Sequence, residues 1–278
     1  MKTEQGFNSG KLDRAVSPVE IIRLSAGGSA EKVTDRVIVE QPVTIMIDKV
    51  GSFTVMATPS DIEALAVGFL YSEGLINGID DVEAISMKPE LPNVIGLQIH
   101  DPTRIAVQRN MIVASSCGMC GTRNIDKMLS DVPACGHSLK VSLRLLTETA
   151  DRLKSMQELF GITGGSHAAA IVDWAGEAIA FAEDLGRHSA LDKAVGKCLK
   201  DRKSMKGCAV FLSGRVSLEM VTKAARAGLE LIAAVSAPSS YAVQAADRWN
   251  ITLCGFVRQG KMNVYAHPER ICSLQREN

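Results

Sequence analysis

Two cysteines, Cys117 and Cys120 in "IVASSCGMCGTRN" (residues 112–124), are the side chains in this sequence best suited to chemistry. They stand among glycines and small polar residues, directly after an apolar run. A thiolate is both a nucleophile and a metal ligand, and a helix N-terminus with nearby cations favours it over the thiol. The following "TRNIDKML" has helical character and brings Arg123 and Lys127 close in sequence. The flanking glycines let a partner approach the sulfur. Other uses of the pair compete with a nucleophilic thiol. A structural zinc site would take Cys117, Cys120, Cys135 and His137, but Cys135-Gly136-His137 leaves one residue between ligands, short of the usual spacing. A thioredoxin-like dithiol fits the order strand, CxxC, helix, yet the motif holds no aromatic residue or proline. A zinc deaminase needs a glutamate two residues after its histidine and a proline before its cysteine pair. Those positions hold Ala169 and Ser116, and the cysteines come first.

Further candidates lie in the C-terminal half. Ser213-Gly214-Arg215 and Ser236-Ala237-Pro238-Ser239-Ser240 each follow an apolar run and precede an amphipathic stretch. Small residues at the ends of parallel strands, with helix N-termini pointing in, commonly receive a phosphate-bearing ligand. In "FVRQGKMNVY", Arg258 and Lys261 flank Gln259 and Gly260, and two cations around a glycine turn could clamp a diphosphate. Ordinary turns with solvated charges fit the same spacing. "EDLGRHSALDK" crowds Glu183, Asp184, Arg187, His188 and Asp192, for which helix capping by Asp184 and surface ion pairs are the plainer account. His167 is a lone histidine beside a glycine loop. Cys198, Cys208 and Cys254 fall on apolar faces and read as small hydrophobes, while Cys272 in the tail says nothing.

The elements that must position these groups fall into two kinds. Residues 1–35 are polar and glycine-dotted and read as a flexible arm. "PVTIMID" and "SFTVMATP" form a hairpin, and Ser60-Asp61-Ile62-Glu63 has the pattern of a capping box opening a helix with Ile62, Leu65, Ala66 and Phe69 on one face and a stop at Gly74. Strands at "VEAISMK", "NVIGLQIH" and one ending in "MIVAS" complete a β-rich domain over 36–140 that carries the CxxC loop. From 141 to 278 the pattern changes. Leu146, Ala150, Leu153, Met156 and Phe160 read as one helix ending at Gly161, followed by a hairpin over "AAAIVDWAGEAIAFAED" and a helix over "HSALDKAVGKCLK". Then "CAVFLS", "LIAAVS" and "ITLCGFV" alternate with two amphipathic helices, which means a parallel sheet with right-handed crossovers. The fold class is α/β, α+β overall.

Composition excludes several classes. Thirty-one basic and 31 acidic residues balance, so a broad basic surface for nucleic acid is not expected. No apolar stretch is long enough to span a bilayer, and "MKTEQGFNSGKLDR" has no apolar core of a signal peptide. Seven scattered cysteines in a chain of this length suit reduced thiols and a cytoplasmic location.

Taken in order, "SSCGMCG", "TGGSHAAA", "EDLGRHSALDK", "SGRVSLEMV", "VSAPSSYAV" and "GFVRQGKMNVYAHP" resemble the FdhD (FdhD/NarQ) family of formate dehydrogenase accessory sulfurtransferases, from about Pro42 to His267. Each motif alone is weak; six in order over that length are specific. The resemblance implies a sulfur carrier. It would take sulfur from a cysteine desulfurase as a persulfide on Cys117, assisted by Cys120, and pass it to the metal of a Mo-bis(molybdopterin guanine dinucleotide) cofactor destined for formate dehydrogenase. It implies a cofactor-binding stretch at Phe256, Val257, Arg258, Gln259, Gly260 and Lys261. Lys261 stands where the family often has arginine, which keeps the charge and loses the bidentate fork. It also implies a homodimer and a C-terminal cytidine-deaminase-like, three-layer α/β domain beside a smaller β-rich N-terminal one. A zinc-stabilised CxxC binding module without sulfur chemistry is the alternative.

Overall fold

The computed structural model describes residues 9–102, 111–113 and 132–272. The stretch whose polarity suggested a loose arm contains a short helix, α1 (Ser9–Ala15), and an antiparallel ribbon of β1 (Val16–Leu24) and β2 (Ala30–Ile38). The ribbon has no buried face, and Ile22, Leu24 and Val37 stand in solvent. That lack of an apolar stripe is why its pattern resembled a linker.

Alternation of apolar and polar residues builds the first sheet. β3 (Gln41–Ile47) and β4 (Gly51–Ala57) pair antiparallel, as do β5 (Val82–Lys88) and β6 (Leu91–Ile99). With β7 (Met111–Val113) at the edge, the order is β5-β6-β3-β4-β7. Val43, Ile45, Phe53, Val55, Ile95 and Leu97 turn one face toward α2 (Ile62–Ser72). Period-2 side chains put every second residue on that face, so the hairpin pattern was readable. Gly74, at φ +72°, ends the helix region as expected.

The capping box does not form. Asp61 is the N-cap, in a left-handed conformation with no side-chain cap bond. Ser60 Oγ instead accepts from buried Lys193 Nζ at 3.3 Å, and Glu63 pairs with Lys200. Both box residues are taken by the C-terminal half of the chain, a pairing that no local pattern announces.

The second half is three-layered. β8 (Val141–Ser142) leads into α3 (Leu143–Ser155) and then a separate short helix, α4 (Glu158–Thr163). The expected single helix breaks at Met156-Gln157 because the start of α4 is pinned: buried Glu183 accepts from the backbone N–H groups of Leu159 and Phe160, both at 3.0 Å. A left-handed Gly164, rather than Gly161, closes it. β9 (His167–Val172) and β10 (Ala178–Asp184) form a hairpin, then α5 (Arg187–Lys200), β11 (Ala209–Leu212), α6 (Leu218–Arg226), β12 (Leu231–Ala234), α7 (Ser240–Arg248), β13 (Thr252–Arg258) and β14 (Lys261–Ala266) follow. The sheet order is β10-β9-β11-β12-β13-β14, with β11, β12 and β13 parallel. β15 (Ile271–Cys272) pairs with β8.

Side chains alternate between two buried faces, which is why these strands read as unbroken apolar runs. Ala169, Ile171, Val210, Leu212 and Ile232 meet α5, α6 and α7; Ala170, Val172, Phe211, Leu231 and Cys254 meet α3. Val132 and Cys135 already pack in the core beneath α5–α7, ahead of the change in pattern at residue 141.

The two halves meet where α2 crosses α5. Gly68 and Gly196 face each other so closely that backbone touches backbone. Around that crossing Lys193, fully buried, bonds Asp184 at 2.6 Å and the Thr58 carbonyl at 3.0 Å, and Lys223 bonds Asp192 at 2.9 Å and Glu73 at 3.2 Å.

Candidate functional site

Cys117 and Cys120 lie outside the described residues, as do Arg123 and Lys127. β7, paired in parallel with β4, carries the chain to Val113, and Val132 takes it up again in the C-terminal core. The other five cysteines are described, and four are buried. Burial pushes the Cys135 thiol up to about 11, and those of Cys198 and Cys254 to about 12. Cys208 is raised by the same cause. Cys198, Cys208 and Cys254 are small hydrophobes, as their positions in the sequence suggested, and Cys135 is buried with them. Cys135 points at the Ala225 carbonyl, 3.8 Å away, whereas His137 is exposed. Cys135 thus packs among core side chains while His137 faces solvent, so these two residues of the four-ligand zinc reading lie in different surroundings.

The sheet topology assembles a second set of groups at one end. Parallel strands β11, β12 and β13 all finish there, and the antiparallel pairing of β9 brings its first residue, His167, alongside. β10 ends opposite His167, so α5 starts at the same end, with Arg187 and His188 in its first turn. The three loops are stitched together by backbone bonds. Val216 N–H donates to Ala237 at 3.1 Å, Ser239 N–H to Val216 at 2.9 Å, and Phe256 N–H to Ser236 at 3.3 Å.

Of the sequence candidates, this end holds His167, Ser213, Arg215, Ser236 and the 256–261 stretch. Ser213 Oγ accepts from Ala168 N–H at 2.8 Å and lies 3.4 Å from His167 Nδ1. Residues 256–261 are the tip of the β13–β14 hairpin. Gln259 (φ +51°) and Gly260 (φ +71°) make the two-residue turn between the paired Arg258 and Lys261, a primed turn of the kind that suits hairpin twist. A bulge between Gly255 and Arg258 places Phe256 at φ +54° and turns its ring outward, which β-bulges do by re-aiming a side chain. Arg258, Gln259, Gly260 and Lys261 are exposed, and Phe256 partly so. Val257 differs. Its side chain is buried against α3, leaving only its backbone to meet a ligand.

The acidic cluster of "EDLGRHSALDK" is not a solvated face. Glu183, Asp184 and Asp192 are all buried and committed to structural partners. Arg187 and His188 remain, facing the loops. His188 Nε2 sits 2.9 Å from Glu219 Oε2, and that bond, ahead of nearby charges, holds the Glu219 carboxyl below the usual carboxylate range. Burial, then Arg187 and Arg215, holds His167 below the ordinary histidine range. Ser217 and Glu219 escaped the sequence reading; "GRVSLE" carried a signal in the serine that precedes an amphipathic run. A cavity of about 460 Å³ lies elsewhere, between the start of α2 and the end of α5, lined by Asp61, Glu63, Lys197 and Lys200. Asp61 there pairs with Lys197 and Glu63 with Lys200.

Comparison with known proteins adds to this geometry. A family model described as the FdhD/NarQ family matches residues 38–272. A protein of Saccharolobus solfataricus named sulfur carrier protein FdhD is 38% identical over 260 residues, covering 92% of this chain and 98% of its own. One of the same name from Anaeromyxobacter is 38% identical, covering 94% and 97%. Among solved structures, a formate dehydrogenase accessory protein of Desulfotalea psychrophila superposes with a TM-score of 0.75 at 25% identity, covering 93% of this chain and all of that one.

Proposed function

From the premise that this chain belongs to the FdhD/NarQ family, we propose that it is a sulfur carrier that serves formate dehydrogenase. The observation that carries the reading is the disposition of its thiols. Of the five described cysteines, four are buried in cores as neutral thiols. Cys272, at the end of the described chain, is exposed. That leaves Cys272 and the two cysteines of "SCGMCG" for sulfur chemistry, and the glycines and small polar residues around Cys117 and Cys120 favour the motif.

In this reading Cys117 thiolate attacks the outer sulfur of a cysteine desulfurase persulfide. The new S–S bond leaves Cys117 as a persulfide, and the desulfurase cysteine departs as thiolate. Cys120 thiolate then attacks the inner sulfur of Cys117. A Cys117–Cys120 disulfide forms, and the outer sulfur leaves as hydrosulfide, reduced by the two electrons the cysteines give up. A cellular thiol reductant resets the pair. The acceptor substrate is a Mo-bis(molybdopterin guanine dinucleotide), whose negative diphosphates suit the exposed Arg258 and Lys261 and whose guanine suits the outward ring of Phe256. A homodimer would offer one such hairpin to each of the two nucleotide tails, and a cytoplasmic setting keeps the thiols reduced.

The test is to incubate reduced protein with a cysteine desulfurase and cysteine, then weigh the tryptic peptides without reductant. A sulfur adduct on the Cys117 peptide, absent in Cys117→Ala, is the expected result. No adduct with a competent desulfurase defeats the proposal. Full single-turnover delivery by Cys120→Ala defeats the resolving role alone.

A further inference from the structure

The cavity of about 460 Å³ opens where three parts of the chain meet: α1 through Arg14, the edge strand β5 through Met87, and the junction of α2 with α5. That volume falls in the range of about 300–1,000 Å³ usual for small-molecule sites, which favour the joints between domains. Pro59, Ile62 and Ala64, all buried, give it an apolar wall. Met87 pairs in register with buried Ile95, so its side chain stands on the core face of the first sheet, yet it is still exposed. A flexible thioether at the edge of a cavity adapts to what enters it.

The charged part of the lining divides evenly. Arg14, Lys197 and Lys200 stand against Asp61, Glu63 and Asp201, so the cavity is neutral as a whole and carries both signs. The lysines come from the last turn of α5, the first two acids from the N-cap and first turn of α2. They meet as two ion pairs, Asp61 with Lys197 at 2.8 Å and Glu63 with Lys200. Asp201 turns to Lys203 at 3.3 Å, outside the lining. Arg14 is left as the lining cation that pairs with no acid among the described residues. Its guanidinium is a planar fork that matches a carboxylate. A ligand of one sign gains from one half of such a lining and is repelled by the other. A ligand with a carboxylate, an ammonium and an apolar body gains from all three parts.

We propose that this cavity binds a zwitterionic α-amino acid with an apolar side chain, its carboxylate on Arg14, its ammonium on Asp61 and Glu63, and its side chain against Pro59, Ile62 and Met87. The occupant touches α1 and both halves of the chain, so binding it holds them together and raises Tm. The site shares no residue with the 256–261 hairpin tip, and the inference does not rest on sulfur transfer. Loading of Cys117 by a desulfurase is measured separately and can fail or succeed without it.

The experiment is thermal melting and calorimetric titration of the full chain with L-leucine and L-methionine. Each is set against 4-methylpentanoate, which is leucine without its ammonium, and 3-methylbutylamine, which is leucine without its carboxylate. At least one amino acid should raise Tm, and both single-charge compounds should bind about tenfold more weakly or worse. Arg14→Gln should weaken amino-acid binding by about tenfold and leave that of 3-methylbutylamine unchanged. Because Arg14 is exposed and unpaired, the ligand-free Tm should not move. Glu63→Gln, which gives up only a half-exposed ion pair, should weaken the amino acid and the amine and spare 4-methylpentanoate. No rise in Tm with either amino acid at millimolar concentration overturns the site. So does a single-charge compound that binds as tightly as leucine, or amino-acid binding that Arg14→Gln leaves intact.

Discussion

Gly68→Ala is the most direct test of how the two halves of this protein are held. An ideal Cβ at Gly68 falls 1.8 Å from the Asp192 carbonyl oxygen and 2.9 Å from Gly196 N; one at Gly196 falls 1.8 Å from the Ala64 oxygen and 2.9 Å from Gly68 N. Both obstacles are backbone, which cannot swing aside, so α2 and α5 must part by about 1 Å or more to relieve the contact. Forcing extra methylenes into packed cores costs about 1–3 kcal/mol, and fixed backbone puts this site at the upper end. Against that, replacing glycine within a helix gains about 0.5–1 kcal/mol. The net loss is about 2 kcal/mol, or roughly 4–8 °C in Tm for a chain of this size. Differential scanning fluorimetry checks it, with Gly161→Ala as control, because a Cβ there meets nothing within 4 Å. Gly68→Ala with Gly196→Ala should cost less than the sum, since the first substitution has already parted the helices. A Gly68→Ala protein that melts at or above wild type would refute the close crossing.

Three further outcomes follow from the same structure. Native protein treated with iodoacetamide at pH 8 should label Cys272 and spare Cys135, Cys198 and Cys254, because thiols raised to about 11 or 12 expose on the order of one thiolate in a thousand or fewer; peptide mass mapping that finds Cys135 alkylated early would contradict its burial. His167 should titrate below the ordinary histidine range in NMR and move upward in Arg187→Gln and Arg215→Gln, with Asp184 and His188 the other charges that face it. The sign is that of a depressed base: the unfolded chain takes the proton first, so His167 lowers stability as pH falls through the ordinary range, and a His167→Gln protein should lose less Tm between pH 7 and 5. Lys193→Met should cost about 3–5 kcal/mol by leaving the Asp184 carboxylate buried without its cation, and Lys193→Met with Asp184→Asn should recover much of it in urea unfolding; an additive double variant would deny the pairing.

What the sequence could and could not reveal follows the range of the interactions. Strands and helices set by local periodicity were legible: the β3–β4 hairpin, the β9–β10 hairpin, the three parallel strands and the stop at Gly74. The ribbon of β1 and β2 was not, because it buries no face and so leaves no stripe to read. The break between α3 and α4 was hidden in an apolar spacing that runs on through it; its cause, Glu183, sits more than 20 residues away. In the site, the cationic loop of Arg258 and Lys261 could be read from two charges around a glycine. The grouping of Arg187 with Arg215 could not, since only the antiparallel return of β9 and β10 brings them to one end.

The misread motifs share one physical origin. Ser60, Glu63, Asp184 and Asp192 all have the residue types of caps and surface pairs, and each is recruited to a partner more than 30 residues away: Lys193, Lys200, the Thr58 N–H and Lys223 in turn. Lys193 takes up the charge of Asp184, and Lys223 that of Asp192. The charge that joins the two halves and the charge at the start of α5 are thus set by one division of the same short segment. Within "EDLGRHSALDK", the acids and Lys193 turn inward to hold the fold, and Arg187 and His188 turn toward the loops.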